Sequence, residues 1–369
     1  MKYLLLLFLL STVICFFSLG SSDSLETVSE EFNESLIDYP HSTWLNASLS
    51  APFIFDAQVI PVQKTQPKKQ SKIPLPASKP SQNDPIPKLS VLSEKLTELR
   101  KNHLGKVSFA LKNLTTGETL GYQITEVMPT ASLIKVAIMI EAYAQAEEGK
   151  ILLSELIELK KEELVGGSGI LKNHFSPGAK LSLRDYIELM IVYSDNTATN
   201  VVLEKIGIGN TNQRMVKLGF QETKINAKVY KGSTTSVDSK RTEKYGLGSS
   251  SAREMLEIFE QIYQGKMISK KASQAMMSHL SSCDDRDKFS KLLPTSVRVY
   301  HKTGSVNDAR NDGGILEFPG GPIILVVFTN QNKDRSWKPD NLGNQFCAQI
   351  AKIVFDFYYD PVKKHPVKK

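Results

Sequence analysis

Apolar residues recur at helical spacing along some stretches of the chain and alternate with polar ones along others. "LSVLSEKLTELRKNH", beginning at Leu89, carries its leucines every three or four positions and predicts a helix. "KVSFALKNLTTGETLGYQ" alternates, turns at "NLTTGE" and resumes, which predicts a β-hairpin. "ASLIKVAIMI", residues 131–140, is apolar almost throughout and predicts a buried helix. Helical periodicity returns over 182–193, 196–206, 250–264 and 269–281. Near the end "SVRVYHKTG", "DGGILEF" and "PIILVVFTN" read as strands, and "NQFCAQIAKIVFDFYY" as a last amphipathic helix. No internal repeat is visible. The order predicts an α+β fold: both ends of the domain build one antiparallel sheet flanked by helices, and the helical middle forms a second lobe. A cleft between the lobes is the natural place for a site.

Composition refines this picture. The chain has 369 residues, 41% of them hydrophobic, enough for one large core. A formal charge of +7 suits solubility or a weak attraction to anionic polymers. "MKYLLLLFLLSTVICFFSLGSS" has a positive start, an apolar run and small residues, with Ser18 and Gly20 spaced like a cleavage site. Residues 1–22 are therefore expected to be a signal peptide rather than a membrane span, and the protein to be exported to the periplasm or beyond. If the segment is not removed, it is the one membrane contact expected. Residues 23–88 turn from acidic to basic and proline-rich, without periodicity, and read as a disordered tether. About 65 residues of coil span roughly 45 Å. Within it, "APFIFDAQVIPV" is a candidate docking strand. Residues 89–369 are expected to be the catalytic domain, acting as a monomer. Of three cysteines, Cys15 lies in the signal; Cys283 and Cys347 remain, free to pair on export or not. The six histidines form no recognisable ligand set. No metal, cofactor or nucleic-acid partner is expected.

Three short stretches carry candidate chemistry. In "ASLIK", Ser132 and Lys135 stand one turn apart on one helix face. A buried lysine sheds its charge more easily than an exposed one, and a neutral amine beside a hydroxyl makes a nucleophile without histidine. Thr130 stands where an N-cap would. Chance produces such pairs, so the stretch is weak evidence alone. In "YSDNTATN", Ser194 is placed to pass a proton, Asp195 to brace the loop and Asn196 to hold a substrate amide; helix capping explains the same residues. In "HKTGS", Lys302 offers a fixed charge, Thr303 and Ser305 offer hydroxyls, and Gly304 permits close approach of a substrate; a strand-ending turn explains these.

Together, in this order, S-x-x-K, S-D-N and K-T-G form the signature of class A β-lactamases and penicillin-binding proteins. The chain resembles that superfamily over about residues 89–358, where "VVLEKIG", "RNDGGIL" and "GLGSSSAREM" also match its flanks. The resemblance implies a serine hydrolase acting on β-lactams or on acyl-D-Ala-D-Ala peptides, with possible contact to peptidoglycan. It implies that Ser132 is acylated, that Lys135 is its base or proton relay and that Ser194 protonates the leaving nitrogen. Asn196 would bind the side-chain amide, and Lys302, Thr303 and Ser305 the substrate carboxylate, helped by Arg310 as an added cation. The backbone N–H groups of Ser132 and Ser305 would form the oxyanion hole.

One element of the family pattern is missing. Class A enzymes release the acyl group with a glutamate in E-x-x-L-N on the omega loop. Here the loop reads "LGFQETKINAKVYKGSTTSVDSKRTEKYGLGSSS", and the expected position falls among Ala227–Tyr230. Glu222 comes too early. Asp238 and Glu243 come later and are the candidate substitutes if the longer loop folds inward. Slow deacylation is the expectation, with a peptidase or a non-turnover cell-wall sensor as the alternatives.

Overall fold

The computed structural model describes residues 89–359. The signal segment, the tether and its candidate docking strand lie outside the described residues. The helices α1 (Leu89–Lys101), α2 (Lys135–Glu147), α3 (Leu183–Val192), α4 (Asn196–Ile206), α6 (Ala252–Tyr263), α7 (Lys270–Ser281) and α8 (Leu342–Tyr358) follow the predicted periodicities closely, while α5 (Ile208–Lys217) is a helix that the sequence reading did not include. The hairpin β1 (Lys106–Asn113) and β2 (Thr119–Tyr122) and the late strands β3 (Arg298–Val306), β4 (Ala309–Phe318) and β5 (Gly321–Asn330) also follow the predicted pattern.

The five strands form one antiparallel sheet in the order β2-β1-β5-β4-β3, so the first strand pairs with the last. The alternation along β5 explains its two-sided burial. Ile323, Leu325 and Val327 face one core, with Leu92 and Leu96 of α1 and Phe346, Ile350 and Val354 of α8. Ile324, Val326 and Phe328 face the other, shared with the helical lobe. In that lobe α2 is buried on nearly every side, which is why its sequence shows so little polarity.

Short polar residues start α3, α4, α6, α7 and α8, as their propensity to accept from free N–H groups dictates. Ser182 and Asp185 form a reciprocal capping box at α3. Ser251 caps α6, Ser269 caps α7 and Asn341 caps α8. Thr130 departs from expectation. It makes no cap, and its buried hydroxyl has no partner, because the chain enters a 3-10 turn (Ala131–Ile134) before α2 begins. The cysteines do not pair: both are free and buried, Cys347 with its thiol directed at the Arg310 carbonyl at 3.6 Å.

Candidate active site

Ser132 sits in that 3-10 turn, where residues three apart eclipse one another. Lys135, the first residue of α2, therefore remains on its side. Ala131 is held at φ 47°, a left-handed conformation that costs a residue with a side chain of order 1–3 kcal/mol. The turn is pressed against β3. A Cβ on Gly304 would lie 2.4 Å from the Thr130 carbonyl and 3.0 Å from the Leu133 nitrogen. Gly304 was expected to make room for substrate; it makes room for the turn that carries Ser132. Gly304→Ala is accordingly expected to displace Ser132 and to lower both the melting temperature and any acylation rate, measured on the same preparation.

The S-D-N stretch joins α3 to α4. Ser194 is also left-handed, at φ 53°. Asp195 is the brace. One carboxylate oxygen accepts from Ala198 N at 2.8 Å and caps α4; the other accepts from Ile170 N at 2.7 Å and Leu171 N at 2.8 Å. Gly169 lies so close to this carboxylate that a Cβ there would come within 2.3 Å of it. One buried group thus ties the 166–170 loop to the helix bearing Asn196. Asp195→Ala would orphan three N–H groups and is expected to cost on the order of 3 kcal/mol, checked by denaturant unfolding.

The predicted polar residues converge. Lys135 Nζ donates to the Ser194 carbonyl at 2.6 Å, to Asn196 Oδ1 at 3.0 Å and to Ser194 Oγ at 3.2 Å. From the opposite side Lys302 Nζ donates to the same Ser194 Oγ at 3.1 Å and to the Thr303 carbonyl at 2.9 Å. One hydroxyl thus bridges two fully buried lysines. The Asn196 amide nitrogen donates to the Gly166 carbonyl at 3.0 Å. Ser132 and Ser305 stand at the divide between two cavities, lining both. The smaller, about 320 Å³, runs past Ser194, Lys302 and Thr303. The larger, about 620 Å³, runs past Asn196 and Ala227–Tyr230.

Burial, reinforced by the positive charge of Lys302, holds the Lys135 amine well below its ordinary value; Asp195 opposes this weakly. Lys302 is also lowered, by burial and by Lys288, against the pull of Cys283, Asp285 and Asp312.

Arg310 pairs with Ser305 across β3 and β4, but its side chain is buried and leaves the cleft. Its guanidinium donates to the carbonyls of Val306, Ala309 (2.8 Å) and Ser336 (2.6 Å) and lies 4.7 Å from the Trp337 ring centroid. With its donors directed at backbone, the expected role as substrate cation finds no support. The substitutes for glutamate fare likewise. Asp238 is exposed and caps the helix Ser239–Tyr245, accepting from Arg241 N at 3.0 Å. Glu243 is exposed on that same helix. Glu222 pairs with Arg241 at 3.3 Å. None of the three lines either cavity.

Several groups escaped the sequence reading. Asp284 and Asp285 line the smaller cavity. Burial would raise the Asp285 carboxyl, but Lys288 at 2.6 Å and the Asp287 N–H hold it well below the usual range. Behind Lys302, fully buried His301 meets the Asp312 carboxylate at 2.9 and 3.1 Å. Against the effect of burial, that carboxylate and Cys283 raise the imidazole to about 10. Cys283, which burial alone would raise, is brought down to about 7 by His301. No spacing motif announces these groups, since they meet only through the sheet register and the end of α7.

Residues 91–358 match the Beta-lactamase enzyme family. The chain is 24% identical over 247 residues to beta-lactamase BRO-1 of Moraxella catarrhalis, covering 65% of this chain and 76% of that one. The crystal structure of a beta-lactamase from Sphaerobacter thermophilus DSM 20745 superposes with a TM-score of 0.63 at 23% identity, over 72% of this chain and 96% of that one. The L158E mutant of PBP-A, an acyl-enzyme complex with penicillin G, superposes with a TM-score of 0.63 at 21% identity, over 73% and 96%.

Proposed function

Since the chain belongs to the beta-lactamase enzyme family, we propose that it is an exported serine acyl-transfer enzyme that β-lactams acylate readily at Ser132 and that releases the acyl group slowly. The observation that carries this reading is an asymmetry around Ser132. On one side two buried lysines share the Ser194 hydroxyl. On the other, the wall where the family's carboxylate would stand is Ala227, Lys228, Val229 and Tyr230.

The residues gathered beside Ser132 are those that a first half-reaction of acyl transfer would use. Lys135 as the free amine takes the Ser132 proton, and Oγ attacks the β-lactam carbonyl carbon. The C–N bond breaks as Ser194 gives its proton to the departing nitrogen. Lys135, 3.2 Å away, returns a proton to Ser194. Lys302 and Thr303 would meet the substrate carboxylate. The second half-reaction has no comparable support. Lys228 is the one ionisable side chain of the 227–230 wall besides the Tyr230 phenol, and it is paired with Glu204. Loss of a positioned general base slows a step by roughly 10² to 10⁴.

Intact mass of the full chain followed over hours after mixing with benzylpenicillin tests this. A persistent adduct on Ser132 is expected. A transient adduct with the drug consumed would refute slow release; no adduct would remove acyl transfer itself. A D,D-peptidase is the second reading, favoured by the lack of a carboxylate in the 227–230 wall, and turnover of an acyl-D-Ala-D-Ala peptide would identify it. The export component of the proposal rests on the first 22 residues, and N-terminal sequencing of the secreted protein checks it.

A further inference from the structure

The larger cavity carries a feature that the acylation chemistry does not use. Two large aromatic side chains stand exposed on it, Tyr230 at 72% and Trp337 at 67%. Two exposed rings on the wall of one cavity make an apolar patch of the kind that marks a ligand-binding groove. Both are also held in place.

Tyr230 sits at φ 56°, a conformation that a bulky residue adopts only when its surroundings impose it. Its neighbours impose that conformation. Asn200 grips the preceding residue through both backbone groups, with Val229 N at 2.8 Å and Val229 O at 3.1 Å. Thr235 Oγ1 accepts from Lys228 N at 2.9 Å. The phenol end reaches across to the 166–170 loop, where a Cβ on Gly167 would lie 2.6 Å from Tyr230 Oη and 2.8 Å from the Asn196 amide nitrogen. The ring therefore stands beside the amide assigned to the substrate side chain.

Trp337 is fixed from beneath by the Arg310 guanidinium, which also bonds Ser336 O. Its loop is closed by Asp334, which accepts from Ser336 N at 2.9 Å and Leu342 N at 2.8 Å, and by Asn341 Nδ2, which donates to Ser336 O at 3.0 Å. The apolar lining of the same cavity also includes Ala131, Ala227, Val229, Leu247 and Val306. The remaining charge on the wall, Lys228, is neutralised by Glu204.

We propose that Tyr230 and Trp337 are the two faces of a binding site for a flat, apolar acyl substituent of the substrate, and that Arg310 is the positioning residue for Trp337. This deepens the proposed function and rests on it. Acyl donors carrying an aromatic ring on the side-chain amide are the favoured class. Those carrying charged or small side chains are disfavoured, because nothing in this wall would pair a charge or fill the volume.

The test separates recognition from chemistry. Full-length Ser132→Ala is titrated calorimetrically with benzylpenicillin and with 6-aminopenicillanic acid, which lacks the acyl side chain. The expected affinity ratio is tenfold or more, the scale of one well-placed aromatic contact. Adding Tyr230→Ala or Trp337→Ala is expected to bring the ratio below threefold, while Tyr230→Phe and Trp337→Phe retain it. Arg310→Met is expected to lower the ratio as Trp337→Ala does. A ratio near one in the parent, or a ratio unchanged within twofold in both alanine variants, overturns the proposal. An adduct forming on Ser132 in the native chain with no ratio would leave acyl transfer standing and this inference fallen. The ratio without any adduct would do the reverse.

Discussion

Ser132→Ala mixed with benzylpenicillin is expected to show no mass increase at any time, while unfolding at the temperature of the parent. Removal of a serine nucleophile costs on the order of 10⁶ in rate where it has been isolated. The two other motif serines have different settings: Ser194 Oγ is shared by two lysines, and Ser305 stands on β3 beside the same divide with no lysine amine bonded to its hydroxyl among the described residues. The fold should tolerate the change because Ser132 is partly exposed and its side chain makes no hydrogen bond among the described residues. An adduct that survives the substitution would put the nucleophile elsewhere and remove the asymmetry on which the functional reading stands.

Lys135→Met is expected to slow acylation by roughly 10² to 10⁴ without abolishing binding. The sign of the pH dependence follows from the surroundings of the amine. Its value is lowered by burial first and by Lys302 second. The free amine, the form that accepts a proton, is therefore present at pH values below those at which an exposed lysine would supply it. As pH falls through the lowered value, Lys135 charges and acylation declines, giving an acid limb in the rate profile. Lys302→Gln removes one of the two causes, so Lys135 would hold its proton more firmly and the limb would move to higher pH. The measurement is the acylation rate from pH 4 to 10 for both variants and the parent. A limb that stays in place in Lys302→Gln would show that the lysines do not sense one another, and a limb that persists in Lys135→Met would assign it to another group.

Much of this was legible in the sequence because it is written locally. A helix or strand declares itself within a dozen residues, so α3, α4, α6 and α7 fall within about two residues of their expected limits. The three motifs are equally local, and the register of β3 against the nucleophile turn brings them together. What stayed hidden depends on side-chain direction. Arg310 has the neighbours that its position promised, yet its guanidinium turns away towards Val306, Ser336 and Trp337. Trp337 lies in a loop without periodicity and gives no sign in the sequence of its place above the cavity. The His301–Asp312 pair arises only from the antiparallel register that sets Thr303 opposite Asp312. Asp238 looked available because sequence cannot distinguish a cap from a base; the same carboxylate chemistry serves both.

The adjacency of β1 and β5 has a consequence for the order of assembly. Lys106 has Asn330 as its partner, and Asn113 has Ile323. Once made, β1 must therefore wait, with the edge away from β2 open, until nearly the whole domain has followed. The core between sheet and α8 cannot close earlier, since α8 follows β5. Pairing at such long range is slow and leaves an apolar strand exposed meanwhile. A premature stop before Gly321 would yield a fragment whose β1–β2 hairpin has no central strand to join it to β4 and β3.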